Sequence, residues 1–291
     1  MEVAGQHLPL VGLLVLGTVV GLVAGMFGVG GGFLLTPLLS IVFGVPLPIA
    51  VGTGLCQMIG TSTAALLRHR KLGQGELRFD VLMLAGSAVG ALAGARVVSE
   101  LEHAGTMELS GRTLPVVSVA LYSAYAVLLL ATSCLMWRQA GSSTEPRVAL
   151  LARLRRGPLI TLPNAGLRLS PFAVSYVGVV VGFLSGLLGI GGGVALMPIL
   201  IYGFGFPIRQ AAGTGIFALL ITVTVGTVQH AVDGHVHLGL AAVLLVGSTI
   251  SAQFGALLTR KMRPRLLRRA FAVLLLLTVA VIAWEVFVGT G

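Results

Sequence analysis

Apolar runs separated by short polar or glycine-rich breaks fill most of the chain. They fall near residues 8–28, 33–44, 46–67, 79–98 and 115–137, then 171–189, 194–204, 207–229, 238–258 and 270–288. Most approach the roughly 20 residues that a helix needs to cross a bilayer. The runs at 33–44 and 194–204 are shorter. At 1.5 Å per residue each would reach only about 18 Å, against a hydrocarbon core of roughly 30 Å. They are expected to be half-helices or re-entrant segments.

Composition agrees with that pattern. Of the 291 residues, 56% are hydrophobic and only 10% charged, and mean hydropathy is +1.01. A soluble domain carries about a quarter charged residues to wet its surface, so the class is an all-α polytopic membrane protein. The N-terminus lacks the positive segment of a signal peptide, and the first apolar run is expected to be a retained helix. Cys56 and Cys134 lie inside apolar runs, where they offer neither a disulfide framework nor a zinc site. No metal or cofactor is expected.

The two groups of runs are copies. Residues 21–54 align without a gap on 182–215 at a constant offset of 161, and 16 of the 34 positions are identical. The matches include Gly28/Gly189, Gly30–Gly32 with Gly191–Gly193, Pro37/Pro198, Pro46/Pro207 and Thr53/Thr214. The register persists through Thr61/Thr222, His69/His230, Gly86/Gly247, Ser87/Ser248 and Gly94/Gly255. Such a register points to duplication. The expected organisation is a first transmembrane repeat at 8–137, a basic linker at 138–170 and a second repeat at 171–288.

Charge placement then gives the halves opposite orientation. The net charge of +10 is no nucleic-acid footprint, because no basic stripe is interleaved with exposed aromatics. Instead, 16 of the 19 Lys and Arg residues fall in 68–78, 138–170 and 260–269. The positive-inside rule assigns these loops to the cytoplasm. Segment 96–114 carries Glu100, Glu102 and Glu108 against two arginines, and 230–237 has no Lys or Arg. Both are expected outside, as are the two termini. Loop 68–78 aligns with 229–239, yet only the first is basic. The pair is therefore expected to be an inverted-topology repeat, as in many secondary transporters. Within the linker, residues 147–156 could form a short basic amphipathic helix on the anionic inner leaflet or serve as a solvated connector.

Glycine, at 41 residues, is about twice its ordinary share of roughly 7%. Three in a row cost about 1 kcal/mol each inside a helix, so both triplets should break their helices. Broken backbone within a bilayer must be buried in protein or line a wet cavity. The half-helices beginning at Phe33 and Val194 would then present free N–H groups and a dipole that attract anions. The candidate substrate-binding residues are Gly30, Gly31, Gly32, Phe33, Thr53, Gln57, Gly191, Gly192, Gly193, Val194 and Thr214. The threonine hydroxyls and the Gln57 amide could hydrogen-bond an oxyanion, or simply cap backbone and bridge helices. Gly21/Gly25 and Gly90/Gly94 read as helix-packing pairs.

Other chemistry is poorly represented. Asp80 and Glu285 lie near helix ends, so no deep carboxylate relay is expected. His69, His230, His235 and His237 are expected as solvated groups at the membrane surfaces, where they could titrate near neutral pH. Gly182–Gly186 has the wrong spacing for an intramembrane serine protease and no persuasive base, so no enzymatic activity is expected.

The doubled pattern of Gly28, Gly30–Gly32, Pro37, Gly44, Pro46 and Gly52–Gly54 with its equivalents in the second half resembles the TauE/SafE family of sulfite exporter-like permeases. The resemblance covers about 12–288, the linker excepted. It implies an inner-membrane permease that moves sulfite, sulfonates or related sulfur oxyanions outward, with coupling to protons or membrane potential as a family-level expectation. The alternative is a non-transporting structural or assembly protein of the membrane, or a permease for an unrelated solute.

Overall fold

The computed structural model describes residues 2–3, 6–109, 112–140, 151 and 159–287. The first half contains α1 (Leu10–Phe27), α2 (Gly32–Ile41), α3 (Leu47–Lys71), α4 (Leu77–His103) and α5 (Val116–Ala140). The second contains α6 (Pro171–Leu188), α7 (Gly193–Pro198) with a π-helical continuation Ile199–Phe204, α8 (Ile208–Gly213), α9 (Ile216–Val232), α10 (Leu238–Lys261) and α11 (Pro264–Phe287). Two-stranded hairpins decorate the ends: β1 (Glu2–Val3) with β2 (Gln6–His7), β3 (Thr106–Leu109) with β4 (Arg112–Pro115), and β5 (Ile160–Leu162) with β6 (Leu167–Leu169). The proposed amphipathic helix at 147–156 lies outside the described residues, Leu151 excepted.

Among the described residues, seven helical spans are long and apolar enough to cross a membrane, and counting the bent α4 as one more gives eight. The protein is an all-α polytopic membrane protein. Gly32–Ile41 and Gly193–Phe204 are the two short apolar helices, at the positions expected for half-helices. Broad apolar faces, such as Val11, Val15 and Val19 on α1 or Val246, Ile250 and Phe254 on α10, stay exposed. In a bilayer these face lipid, which is as apolar as they are.

With little hydrophobic drive between helices in lipid, close approach depends on small residues. Gly17, Gly21 and Gly25 of α1 abut the backbone of Leu244, Ser248 and Ala252 on α10, so the two helices run parallel. The equivalent pairing joins α6 to α4, where Gly178, Gly182 and Gly186 abut Met83, Ser87 and Ala91. Each half thus gives its first helix to the fourth helix of the other half. Further pairings also cross between halves: α5 packs on α11, α3 on α9 and α10, and α4 on α9.

Within the first half, the chain beyond α2 returns to the start of α1, where Phe43 fills the space beside Gly12. The His69 ring, near the end of α3, meets the Gly25 carbonyl near the end of α1 at 3.0 Å. Helices α1 and α3 therefore share a direction, and α4 turns back after the loop 72–76. α3 and the α8–α9 span are the most buried of the spans.

Candidate functional site

The glycine triplets break both helices as the spacing predicts. Gly28 and Gly189 cap α1 and α6 in left-handed conformation, while Gly31 (φ 82°) and Gly192 (φ 72°) cap the starts of α2 and α7. Side-chain-bearing residues avoid this region at a cost of about 1–2 kcal/mol, so glycine is required at Gly31 and Gly192.

The two breaks touch. A Cβ on Gly32 would strike the Gly189 carbonyl and Ile190, and one on Gly193 would strike Val29. Met58 from α3 lies between them, its methyl group against both Gly30 and Gly191. Phe33 and Val194 are wholly buried beside the breaks. Eight candidate residues (Gly30–Phe33 and Gly191–Val194) therefore form one buried centre contributed by both halves.

The remaining three candidates stand differently. Gln57 is buried, donates its Nε2–H to Ser248 Oγ at 2.6 Å and leaves Oε1 without a partner. Thr53 Oγ1 accepts from the His237 backbone N–H at 3.0 Å, at the loop 233–237. Thr214 donates to the Gln210 carbonyl at 2.8 Å, within its own turn. The threonine hydroxyls are thus committed to loop and backbone. It is the glycines of these motifs that pack on the half-helices, Gly54 against Thr36 and Leu35, Gly215 against Leu196. Thr61, Thr222, Thr224 and Thr227 bond carbonyls of their own helices.

A narrow crevice reaches the centre between Ala24, Gly28, Gly30, Thr61, Ser62, Ala65, Ile216 and Leu219, too tight to hold a water molecule. The Ser62 hydroxyl lines it and has no partner. Ser62 was absent from the sequence candidates, although the run Thr61–Thr63 one turn beyond Gln57 was its signal.

A second feature was hidden in the sequence. Asp80 sits in the first turn of α4, near a helix end as expected, yet is only 2% exposed. Its Oδ1 accepts the Gly215 backbone N–H at the start of α9. Here the second half departs from the first, because α3 runs unbroken through Gly52–Gly54 whereas α8 and α9 are separated at Thr214–Gly215. Ala241 stands where Asp80 would in the other half, and it has no acceptor to offer Gly54. The Asp80 side chain supplies the acceptor that the free N–H at a broken helix start needs. Next to it, a cavity of about 230 Å³ is lined by Arg70, Gln74, Glu76, Asp80 and Asn164, among others. Gln210 and the β5–β6 hairpin close its rim through Gly75 N–H to Gln210 Oε1 (2.9 Å), Ala165 N–H to Glu76 (2.8 Å) and Asn164 Nδ2 to the Gly75 carbonyl (2.9 Å).

The histidines also depart from expectation. His69 and His230 are wholly buried, and His235 is 9% exposed, so these three are structural corner residues, not solvated loop groups. No cluster of metal-ligating side chains occurs among the described residues.

Paired broken helices at the centre of a polytopic helical protein are the arrangement of membrane transporters. The chain belongs to one such family: the model of the sulfite exporter TauE/SafE family matches residues 13–282. Its relatives carry matching descriptions. The chain is 27% identical over 279 residues to the probable membrane transporter protein YunE of Bacillus subtilis, covering 91% of this chain and 94% of that one. It is 30% identical over 270 residues to the probable membrane transporter protein YjnA of the same organism, with 92% and 97% covered. The archaeal protein MJ0441 of Methanocaldococcus jannaschii, also a probable membrane transporter, is 25% identical over 272 residues, with 88% of each covered.

Proposed function

We propose that the protein is a permease for small anions, with sulfite and organosulfonates as its substrate class, working by alternating access around the joined glycine breaks. The observation that carries this reading is the meeting of Gly30–Phe33 with Gly191–Val194, where the unpartnered Ser62 hydroxyl lines the crevice alongside Gly30, with a second unpartnered buried atom, Gln57 Oε1, on the same helix. Unsatisfied polar groups in such a place cost about 1–3 kcal/mol each, and an oxyanion or its water would relieve that cost. Because the crevice admits no water, substrate passage requires the helices around it to separate. Family membership supports a transported solute, and the name of the family supports sulfite.

The halves are read as an inverted pair in the inner membrane. Support comes from helix direction: α1 runs with α3 and α10, α4 runs with α6 and against α3, so corresponding helices of the two halves point opposite ways. The basic loops would be cytoplasmic and loop 230–237 external. With Cys56 and Cys134 replaced by serine, a cysteine at position 233 is expected to react with an impermeant maleimide on intact cells. Labelling only after permeabilisation would reverse the orientation.

Substrate class is tested by flux into proteoliposomes of sulfite, sulfoacetate, thiosulfate and sulfate. Saturable flux of at least one sulfur oxyanion, lowered several-fold by Ser62→Ala with Gln57→Leu, is expected. Equal leakage of all four with and without protein would refute the reading.

A further inference from the structure

His69 and His230 occupy equivalent positions and begin equivalent corners. His69 Nε2 faces the Gly25 carbonyl at 3.0 Å and His230 Nε2 faces the Gly186 carbonyl at 3.2 Å. A carbonyl only accepts, so each ring donates its Nε2–H there, at the end of the helix that leads into a glycine break. Each Nδ1 then faces the residue five positions on, and at this point the halves diverge. In the first half it is Gln74, whose Oε1 stands at 2.6 Å and gives way to Nε2 when the amide turns over. An amide offers either a donor or an acceptor by turning about its last bond, so Gln74 satisfies a neutral His69 at any pH.

In the second half the partner is His235, Nδ1 to Nδ1 at 3.3 Å. A neutral His230 that donates from Nε2 has a bare Nδ1, so the His235 Nδ1–H must donate to it. The other nitrogen of His235, Nε2, lies 2.9 Å from Glu102 Oε2 at the end of α4. A carboxylate also only accepts. With His230 neutral and Glu102 ionised, the chain Glu102–His235–His230–Gly186 is complete only when His235 carries both ring protons.

We infer that His235, held between Glu102 and His230, is a proton-binding latch that ties loop 233–237 and α4 to the end of α6 on the face opposite the basic loops. Loss of one proton leaves two acceptors facing each other, at Glu102 or at His230, and the chain parts there. Histidine is the side chain that changes charge between about pH 5 and 8. The Glu102 side chain is 29% exposed and that of His235 11%, so water reaches the proton-bearing edge while His230 stays dry. The neighbouring titratable groups are few. Asp233 accepts from Gln229 at 3.3 Å, and His237 Nδ1 accepts from the Leu240 N–H at 3.1 Å. His103 bonds the Ser99 carbonyl at 2.7 Å, at an exposed position. Residues 47–55 of α3 and 180–190 of α6 contribute none. The same loop holds Thr53 through the His237 N–H, so release of the latch frees the start of α3 as well. That last consequence, a proton binding in step with anion passage, rests on the permease reading; the latch itself does not.

The test is thermal unfolding of the purified full-length protein between about pH 5 and 8, for wild type, His235→Gln, Glu102→Gln and the exposed control His103→Gln. The His235→Gln variant reproduces the Gln74 corner. A proton-dependent contact stabilises at low pH and is lost as pH rises. Wild type and the control are therefore expected to lose roughly 2–4 °C more in Tm across this range than His235→Gln or Glu102→Gln. A wild-type pH profile in both latch variants would overturn the inference. If His235→Gln does not fold, Glu102→Gln decides alone, since it leaves both rings in place. Sulfite flux at the same pH values distinguishes the two readings. Flux absent throughout, with the Tm profiles as expected, would sink the permease and leave the latch. Flux whose pH dependence flattens in both variants supports both.

Discussion

Replacing Gly31 and Gly192 together by valine is expected to lower oxyanion flux in proteoliposomes at least tenfold, to the level of empty vesicles. Both positions have positive φ, 82° and 72°, which costs a side-chain-bearing residue about 1–2 kcal/mol, and more when it is β-branched. Space is lacking too. A Cβ at Gly31 would lie 2.6 Å from Val20 Cγ1, and one at Gly192 2.8 Å from the Val181 carbonyl oxygen. Relief of that clash would push α2 from α1 and α7 from α6, and so part the two breaks. The control is Gly105→Val, which also has positive φ (79°) but open space around the new Cβ. It carries the backbone cost without disturbing the centre, and its flux should stay within twofold of wild type. Equal flux in the double variant and the control would dismiss the breaks as the transport site.

Asp80→Leu is expected to produce the largest loss of stability from a single side chain outside that centre. Leucine removes the acceptor of the Gly215 N–H, which then stays buried without a partner. Leaving a buried donor unpaired costs about 1–3 kcal/mol, equivalent to a fall of roughly 5 °C in Tm for a chain of this size. Asp80→Asn keeps an acceptor oxygen in place and is expected to fall by less than half as much. Faster amide exchange at Gly215 in the leucine variant would locate the effect. If leucine and asparagine give the same Tm as wild type, the carboxylate does not hold the start of α9.

The class of fold was legible in the chain because bilayer thickness and apolar run length are directly comparable quantities. The breaks at Gly30–Gly32 and Gly191–Gly193 were legible for a similar reason, since helix geometry tolerates three glycines poorly. Their meeting was legible only through the repeat. The environments of Asp80, His69 and His230 were not. Hydropathy places a residue along the membrane normal, but burial there is decided by which helix packs alongside. Asp80 looks like a surface residue from its place in the first turn of α4, and it is α9, 135 positions away, that covers it. The hydroxyls of Thr53 and Thr214 take the second of the two roles the sequence left open for them. Their motif is informative, but for its glycines, while the hydroxyls serve a loop and a backbone turn.

The exchange of first helices between halves bears on how the molecule can move. Glycine backbones seat α1 on α10 and α6 on α4, and these seams join residues of different halves. Motion that split the chain at the linker into two rocking blocks would have to tear both seams at once. Under the alternating access proposed above, the moving bodies would instead be composites, α1 with α10 and α4 with α6, each assembled from both halves. Because each composite carries one half's first helix to the other half's loops, displacement at one face would then be geared to the glycine break nearer the opposite one.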